Sequence, residues 1–152
     1  MSEAAIDCTI ESVSLDEALK VHQCVPELKR ADSVSEYHSR IGQAEYLALV
    51  ATVDSRPVGF KLGFALDDDQ FYSWVGGVRP DYRGYGVGWR LLAEQEAWAL
   101  KSGYRSILVK SMNRFPPMIC LLVSRGYAIV AYEKAAGGEE SKGKIVFQKA
   151  LV

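Results

Sequence analysis

The stretch RGYGVG, Arg83 to Gly88, constrains this chain more than any other. It stands between an apolar run that predicts a strand and an amphipathic pattern that predicts a helix over 91–102, closed by Gly103. A turn into a helix leaves backbone N–H groups without intrahelical partners at the positive end of the helix dipole. Alternating glycines allow an anion to approach those groups, and Arg83 adds a guanidinium suited to phosphate. The stretch therefore predicts a site for a ligand that carries a pyrophosphate.

The spacing of the glycines narrows the choice of ligand. The stretch is neither GxxxxGK[ST] nor GxGxxG, and no first strand of a dinucleotide-binding unit opens the chain. Both a nucleoside-triphosphate loop and a dinucleotide fold are therefore disfavoured. The alternative without a ligand is a plain strand–helix connection, which needs one such glycine rather than three.

The pattern along the rest of the chain predicts a mixed α/β domain. The 152 residues are expected to form a single domain, 1–152. The predicted order is one strand, two helices, three strands, a helix, a strand, a helix and two strands. The predicted strands cover 6–12, 46–53, 57–66, 71–78, 106–112, 127–132 and 145–151, and the other predicted helices cover 14–22, 33–43 and 116–124. Ser14 is predicted to cap the first helix, and Val34, Tyr37, His38 and Ile41 to share a face of the second. Gly76-Gly77 predicts either a bulge or a place where another group approaches the backbone closely, and a flexible loop is predicted over 135–144.

Composition excludes several classes of function. The net charge of −1 shows no basic field for nucleic acid, and no apolar run is long enough to span a membrane. Three cysteines without CxxC spacing argue against a disulfide framework or a zinc site and favour a reducing compartment. The N-terminal residues lack the pattern of a secretory signal. We expect a cytoplasmic protein without a metal, with no nucleic-acid or membrane partner, and a homodimer stays possible.

The motif and its surroundings resemble the GCN5-related N-acetyltransferase (GNAT) superfamily. Arg83-x-x-Gly86-x-Gly88 matches the family signature R/Q-x-x-G-x-G/A, and Val78-x-Pro80 precedes it as in the family. A helix, a strand, Asn113 and a short helix ending in Gly126-Tyr127 follow in the family's order. The resemblance covers residues 46–132 and, within the superfamily, is to uncharacterised bacterial-type members. It implies a central, mostly antiparallel mixed sheet of six to seven strands flanked by about four helices.

The resemblance implies acetyl-coenzyme A as the donor, held mainly by backbone groups. The backbone N–H of Val78 would polarise the thioester carbonyl, and Asn113 would touch the pantetheine arm or a bridging water. For Gly76-Gly77 an ordinary bulge is the alternative, and for Asn113 a turn or cap residue. The residues expected to bind the donor are Gly76, Gly77, Val78, Arg83, Gly84, Tyr85, Gly86, Val87, Gly88, Trp89 and Asn113.

The groups that would move protons are not the ones that relatives often carry. Leu122 stands where many relatives have an acidic tyrosine, and Ser73 stands where some have a glutamate. Water, or a base from elsewhere in the chain, must then be considered. The weak catalytic candidates are Ser73, Tyr127 and Tyr132, Cys120 is a further group that could approach, and the possible bases are Glu45, His38, Asp67, Asp68 and Asp69. Tyr72 and Trp74 share a strand face, and they either pack under the helices or line the acceptor site.

Two functional classes follow from these residues. The first is an N-acetyltransferase in which a primary amine, of a small molecule or a protein, directly attacks acetyl-coenzyme A. Acidic residues in 32–43 and 67–70 would favour a cationic amine. The second is an acyl-coenzyme A sensor that binds without chemistry, and a different phosphate-ligand binder is a third possibility.

Overall fold

The computed structural model describes residues 6–28, 31–138 and 142–152. The predicted order of helices and strands is confirmed, and the strand and helix limits differ from the predicted ones by a few residues. Residues 139–141 of the predicted flexible loop lie outside the described residues. The elements are β1 (Thr9–Ser12), α1 (Leu15–His22), α2 (Val34–Ile41), β2 (Tyr46–Val53), β3 (Arg56–Ala65), β4 (Gln70–Val78), a 3₁₀ turn (Pro80–Tyr82), α3 (Val87–Lys101), β5 (Ser106–Ser111), α4 (Pro116–Ser124), β6 (Ala128–Glu133) and β7 (Lys144–Ala150).

The described strands form one seven-stranded sheet in the order β1-β2-β3-β4-β5-β7-β6. Neighbouring strands are antiparallel except β4 and β5, which are parallel. The parallel pair follows from the crossover through α3, since a strand–helix–strand unit brings the second strand back in the same direction. The predicted mixed, mostly antiparallel sheet is confirmed.

Two cores lie on opposite faces of this sheet, because successive strand residues point to opposite sides. The first core lies under α3 and α4 and includes Leu49, Phe71, Leu91, Ile107, Leu122 and Phe147. The second core lies under α1 and α2 and includes Ala18, Val21, Tyr37, Phe60, Leu62 and Tyr72. The centre of the sheet is thus apolar on both faces, and a polar side chain pointing inward from it is an exception.

The helix starts reflect local sequence. Ser14 is the N-cap of α1, and its Oγ accepts a hydrogen bond of 3.3 Å from the backbone N–H of Glu17, as predicted. In α2 Tyr37 is buried, but His38 is exposed, so the predicted inward face of that helix is wrong at His38. Helix α3 starts at Val87, four residues before the predicted Leu91, because Gly86 already acts as its N-cap.

No helix in the described part of the chain is long and apolar enough to cross a bilayer.

Candidate active site

Strands β4 and β5 separate partway along their length. Their pairing joins Gln70–Ser73 to Ser106–Val109 only, although β4 continues to Val78 and β5 to Ser111. The cause lies on the other edge of β4, where Leu62 pairs with Val75 but Gly63 pairs with Ser73, which leaves Trp74 as an extra residue. Such a bulge bends a strand and increases its twist. Past Ser73 the two strands therefore enclose what we call the β4–β5 gap.

The predicted bulge at Gly76-Gly77 is thus wrong by two residues, because both glycines pair regularly with Lys61 and Phe60. The alternative prediction, a close approach of other groups to the backbone, describes the two glycines. A Cβ on Gly76 would lie 2.9 Å from the carbonyl oxygen of Phe60, and one on Gly77 would lie 2.9 Å from Cγ1 of Val25. The two glycines let neighbouring groups approach β4 from both faces.

The backbone of β4 points two N–H groups into the β4–β5 gap. The N–H of Arg79 donates to the carbonyl of Val58 at 2.8 Å, so the next pair, Gly59 with Val78, is a pair without mutual hydrogen bonds. The N–H groups of Val78 and Gly76 consequently face away from β3, towards the gap. The carbonyl of Val78 faces the same way, and it accepts a hydrogen bond of 2.9 Å from Nε of Arg83. This geometry suits the expected role of the Val78 N–H in stabilising an oxyanion, and the N–H of Gly76 points in the same direction.

The glycine loop, residues Arg83–Gly88, leads from the end of β4 into α3. Gly84 and Gly86 both have φ of 85°, a conformation that glycine adopts at little cost. A Cβ built on Gly86 would meet no atom of the described residues within 4 Å, so these residues leave the space beside it open. The hydrogen bond from the N–H of Arg90 to the carbonyl of Gly86 begins the helical pattern, which leaves the N–H groups of Val87, Gly88 and Trp89 as the unsatisfied first turn. Tyr85 is exposed, and its carbonyl accepts from Ile6 N–H at 3.4 Å.

The side chain of Arg83 is already bound within the protein. Its two terminal nitrogens donate to both carboxylate oxygens of Glu27, at 2.8 and 2.6 Å. The guanidinium holds the pKa of Glu27 below its usual range through these hydrogen bonds. A phosphate near the glycine loop would have to share Arg83 with Glu27, so the backbone groups are the more available part of the predicted site.

The other predicted donor-binding residues lie around the opening of the gap. The ring of Trp89 lies under the guanidinium of Arg125, 3.9 Å from the ring centroid, which joins the start of α3 to the end of α4. Asn113 is exposed in the turn between β5 and α4. Both stand on the segments that follow the separated ends of the strands.

The three weak catalytic candidates are in different places. Ser73 is 2% exposed on the α3 side, at the start of the gap, and its Oγ has no hydrogen-bond partner in the described part of the chain. The hydroxyl of Tyr127 donates to Oε1 of Glu96 at 3.3 Å, and burial together with this carboxylate raises the tyrosine pKa. Tyr132 lies on β6, which β7 separates from β5. Leu122 is fully buried in the first core.

The predicted bases have structural roles or are exposed. Oδ1 of Asp67 accepts the N–H groups of Asp69 and Gln70, both at 2.8 Å, which fixes the β3–β4 turn. Glu45 accepts the hydroxyl of Tyr104, whose pKa rises to about 12 because the ring is desolvated and faces this carboxylate. These residues lie at the paired end of β4 and β5, opposite to the gap. Asp68 and His38 are exposed, as is Cys120 on α4.

Tyr72 and Trp74 pack on the second core. Tyr72 is 5% exposed, and the ring of Trp74 makes an edge contact with Tyr37 at 5.8 Å between centroids. The guanidinium of Arg40 lies 5.6 Å from the Trp74 ring. Of the two interpretations offered for this pair, packing under the helices describes Tyr72, while Trp74 is only partly buried.

Sequence reasoning missed two buried polar residues on the α3 side. Lys61 on β3 is 6% exposed. Gln95 on α3 is 0% exposed, and neither atom of its side-chain amide is hydrogen-bonded to another described residue. A signal was present, because Lys61 interrupts the apolar run PVGFKLGFAL with glycines two residues away on each side. Lysine is almost never fully buried in a protein unless it is paired.

Among the described residues no group of three or more His, Cys, Asp or Glu side chains is arranged to hold a metal ion.

The sequence itself places the chain in a family. The sequence model described as the acetyltransferase (GNAT) family matches residues 15–119, more than half of the chain. The protein belongs to this family, as its glycine loop suggested. No curated protein sequence matches the chain.

Solved structures share the whole fold. Ard1 from Thermoplasma volcanium superposes with a TM-score of 0.80 at 16% identity, over 97% of this chain and 99% of that one. The ribosomal-protein-S18-alanine N-acetyltransferase from Escherichia coli gives 0.79 at 20% identity, over 95% and 94%. A GNAT family acetyltransferase from Elizabethkingia anophelis, solved with acetyl-CoA bound, gives 0.76 at 13% identity, over 94% and 97%. At these identities the likeness establishes the fold.

Proposed function

We propose that this protein transfers an acetyl group from acetyl-coenzyme A to a primary amine by direct attack of the amine on the thioester. The observation that carries the proposal is the continuity of two sets of backbone donors. The open glycine loop at the start of α3 leads directly to the β4–β5 gap, into which the N–H groups of Gly76 and Val78 point. One set suits a pyrophosphate and the other a thioester carbonyl.

The residues present fit such a donor. The conformations of Gly84 and Gly86 expose backbone N–H groups, and the space beside Gly86 would be filled by any Cβ. When bound, acetyl-coenzyme A supplies an activated acyl group whose carbonyl oxygen gains negative charge during transfer. In this proposal the N–H groups of Val78 and Gly76 would stabilise that charge without reorganisation, because the sheet fixes their direction.

The acceptor is proposed as a primary amine of a small molecule or a protein. The name of the structural neighbour from Escherichia coli includes a protein amine as acceptor, which supports this class. The preference for a cationic acceptor was expected from acidic residues in 32–43 and 67–70, and only the first of these segments still supports it. Asp67 and Asp69 are engaged at the paired end of the strands, whereas Asp32 and Glu36 are on the α2 side.

The proposal is tested first by ligand stabilisation. A specific ligand at about 100 times its Kd stabilises a protein by about 2.7 kcal/mol. We expect acetyl-coenzyme A to raise the melting temperature accordingly, and ATP and NAD to leave it unchanged. Stabilisation by ATP or NAD alone would contradict the donor assignment.

Turnover is tested with a panel of cationic, neutral and anionic amines, with released coenzyme A measured through its free thiol. Release that depends on the amine supports the transferase. Tight binding of acetyl-coenzyme A without release for any amine would instead indicate the acyl-coenzyme A sensor. Activity on anionic amines alone would contradict the cationic acceptor.

A further inference from the structure

The buried Lys61 lies on the face of β3 that α3 covers. A Cβ on Gly59 would lie 3.2 Å from Leu91 of α3, and one on Gly63 would lie 2.8 Å from Nε2 of Gln95 on the same helix. Because side chains alternate along a strand, Lys61 between these two glycines points to the same side. Phe60 and Leu62, the residues next to it, belong to the second core on the other face.

The stem of Lys61 leans over β4 towards the β4–β5 gap. Lys61 is paired with Gly76, and the hydrogen-bond pattern makes this a pair without mutual bonds, in which side chains approach most closely. Gly76 has no side chain, and Cγ of Lys61 lies 3.3 Å from the place where its Cβ would stand. The glycine therefore makes room for the lysine beside the N–H group that points into the gap.

Two other buried side chains on this face of the sheet have no hydrogen-bond partner among the described residues. On α3 Gln95 has no hydrogen-bond partner, and on β4 neither has Oγ of Ser73, the last residue before the gap. Glu96 on α3 attracts the ammonium of Lys61, but its carboxylate is itself bound by Lys149 at 2.7 Å and by Tyr127 at 3.3 Å. On the β2 side the paired residue is the apolar Leu49. The stem of Lys61, which passes beside Gly76, thus leads from β3 towards the edge of the gap.

We infer that Lys61 is the general acid that protonates the sulfur of coenzyme A as the thiolate leaves. The inference rests on the proposed acetyl transfer. The amine nitrogen forms the bond to the acyl carbon, the C–S bond breaks with its electron pair going to sulfur, and Nζ–H of Lys61 gives its proton to that sulfur. The surplus proton on the new amide nitrogen goes to water, and the neutral Lys61 takes one back from water, so the reaction ends in amide and free thiol.

Two further observations favour Lys61 over the other groups nearby. Leu122 is buried in the first core and has no proton to give, and the hydroxyl proton of Tyr127 is held by Glu96. Burial lowers the pKa of Lys61 to about 8, against the influence of Glu96. That value is close to the pKa of an ordinary thiol, about 8.5, so a proton moves from the ammonium to the thiolate with little energetic cost.

The test compares Lys61→Met, Lys61→Arg and the control Lys101→Met, which removes an exposed lysine from the end of α3. The first measurement needs no turnover: coenzyme A is titrated on each protein from neutral to alkaline pH, with the ultraviolet absorbance of the thiolate as readout. We expect the bound thiol to ionise at lower pH on the unmodified protein, on Lys61→Arg and on Lys101→Met than on Lys61→Met. A nearby positive charge stabilises the thiolate, and methionine removes that charge at similar length.

The second measurement is kcat across the same pH range. We expect Lys61→Met to lose about 100-fold in kcat, the low end for a general acid, with its Kd for acetyl-coenzyme A within a few-fold of the original. The unmodified protein should lose activity above about pH 8, where Lys61 is deprotonated, and Lys61→Arg should lack this decline. A Lys61→Met protein with the original thiol titration and rate would overturn the inference while acetyl transfer stands. No coenzyme A release by the unmodified protein with any amine would overturn the proposed function and, with it, the acid role.

Discussion

The guanidinium of Arg83 is held by three hydrogen bonds, one to the carbonyl of Val78 and two to Glu27. The exposed fraction of each side chain in the Arg83–Glu27 pair is about two fifths, so water screens their attraction. An anion bound at the glycine loop would therefore compete with Glu27 for the guanidinium of Arg83. Its contribution to donor binding depends on how readily Glu27 releases it.

The first prediction concerns this competition. We expect Glu27→Gln to tighten coenzyme A binding several-fold, because the competing carboxylate charge is removed, and Arg83→Ala to weaken it by about 1.5–3 kcal/mol, a typical value for a hydrogen bond to a charged group. Isothermal titration calorimetry measures both. Unchanged affinity in Arg83→Ala would show that the loop binds through its backbone alone.

The second prediction concerns Lys61 and stability. Its pKa falls from 10.5 to about 8 on folding, so between those values the unfolded chain holds a proton that the folded chain has released. The stability contributed at this residue therefore rises as pH rises from about 8 to 10.5, and below pH 8 the buried charge costs the folded state roughly 3 kcal/mol. Lys61→Met should be the more stable protein near pH 7, and its advantage should shrink near pH 10.

Urea unfolding of the two proteins at both pH values measures this, and comparing them cancels the titration of all other groups. Lys101→Met, which changes an exposed lysine, should follow the unmodified protein at both values. An advantage of Lys61→Met that is the same at pH 7 and pH 10 would mean that folding does not lower the pKa of Lys61.

At the scale of elements, the glycines at the two ends of α3 can be compared directly, because they share a backbone conformation and differ in their expected role. Gly86 before the helix and Gly103 after it have φ of 85° and 95°, and a Cβ at either would meet nothing within 4 Å. Alanine at either position should cost about 1–2 kcal/mol of stability, since both must take a left-handed conformation. Only Gly86 lies where an anion is expected to bind.

The third prediction follows from that symmetry. Gly86→Ala should lose coenzyme A affinity, because its Cβ enters the space beside the free N–H groups, while Gly103→Ala should keep the original affinity at equal loss of stability. Urea unfolding gives the stabilities, and calorimetric titration gives the Kd values. Equal affinity in the two variants would place the pyrophosphate elsewhere.

The elements themselves were largely predictable, because apolar alternation, Ser14 and the prolines at the start of α4 act locally. The bulge was not, since its position depends on how β3 and β4 pair, and Trp74 carries no sign of it while Gly76-Gly77 does. The glycine loop was recognisable because its function requires an unusual composition. The burial of Lys61 is not predictable from its neighbours in sequence, because it comes from α3, which lies far along the chain. In addition, a glycine pair within a strand indicates a backbone irregularity rather than room for a neighbouring side chain.

At the scale of the whole molecule, one sheet separates two cores and belongs to both. Trp98 makes an edge contact with Phe71 on the α3 side, and Trp74 contacts Tyr37 on the α1 side. Strands β2, β3 and β4 contribute residues to both cores. Unfolding of either core would expose one face of these central strands to water, and the other core depends on the same strands.

The fourth prediction is therefore a single unfolding transition. Two variants would keep one tryptophan each, Trp74 or Trp98, with the other two replaced by phenylalanine. In each variant, the unfolding midpoint measured by tryptophan fluorescence should equal the midpoint measured by far-ultraviolet circular dichroism, as two-state unfolding requires. A fluorescence transition in either variant that is displaced from its own loss of secondary structure would show that the two sides unfold as separate units.

The place of β7 between β5 and β6 has a consequence for the chain as it is made. Strand β6 leaves the ribosome before the strand that joins it to the sheet, so for that interval β5 has an open edge and β6 has no neighbour. Open edges of this kind invite pairing with other chains. The nascent protein is thus most vulnerable to aggregation just before its last strand emerges, and residues 144–150 complete the sheet by insertion rather than by addition at its rim.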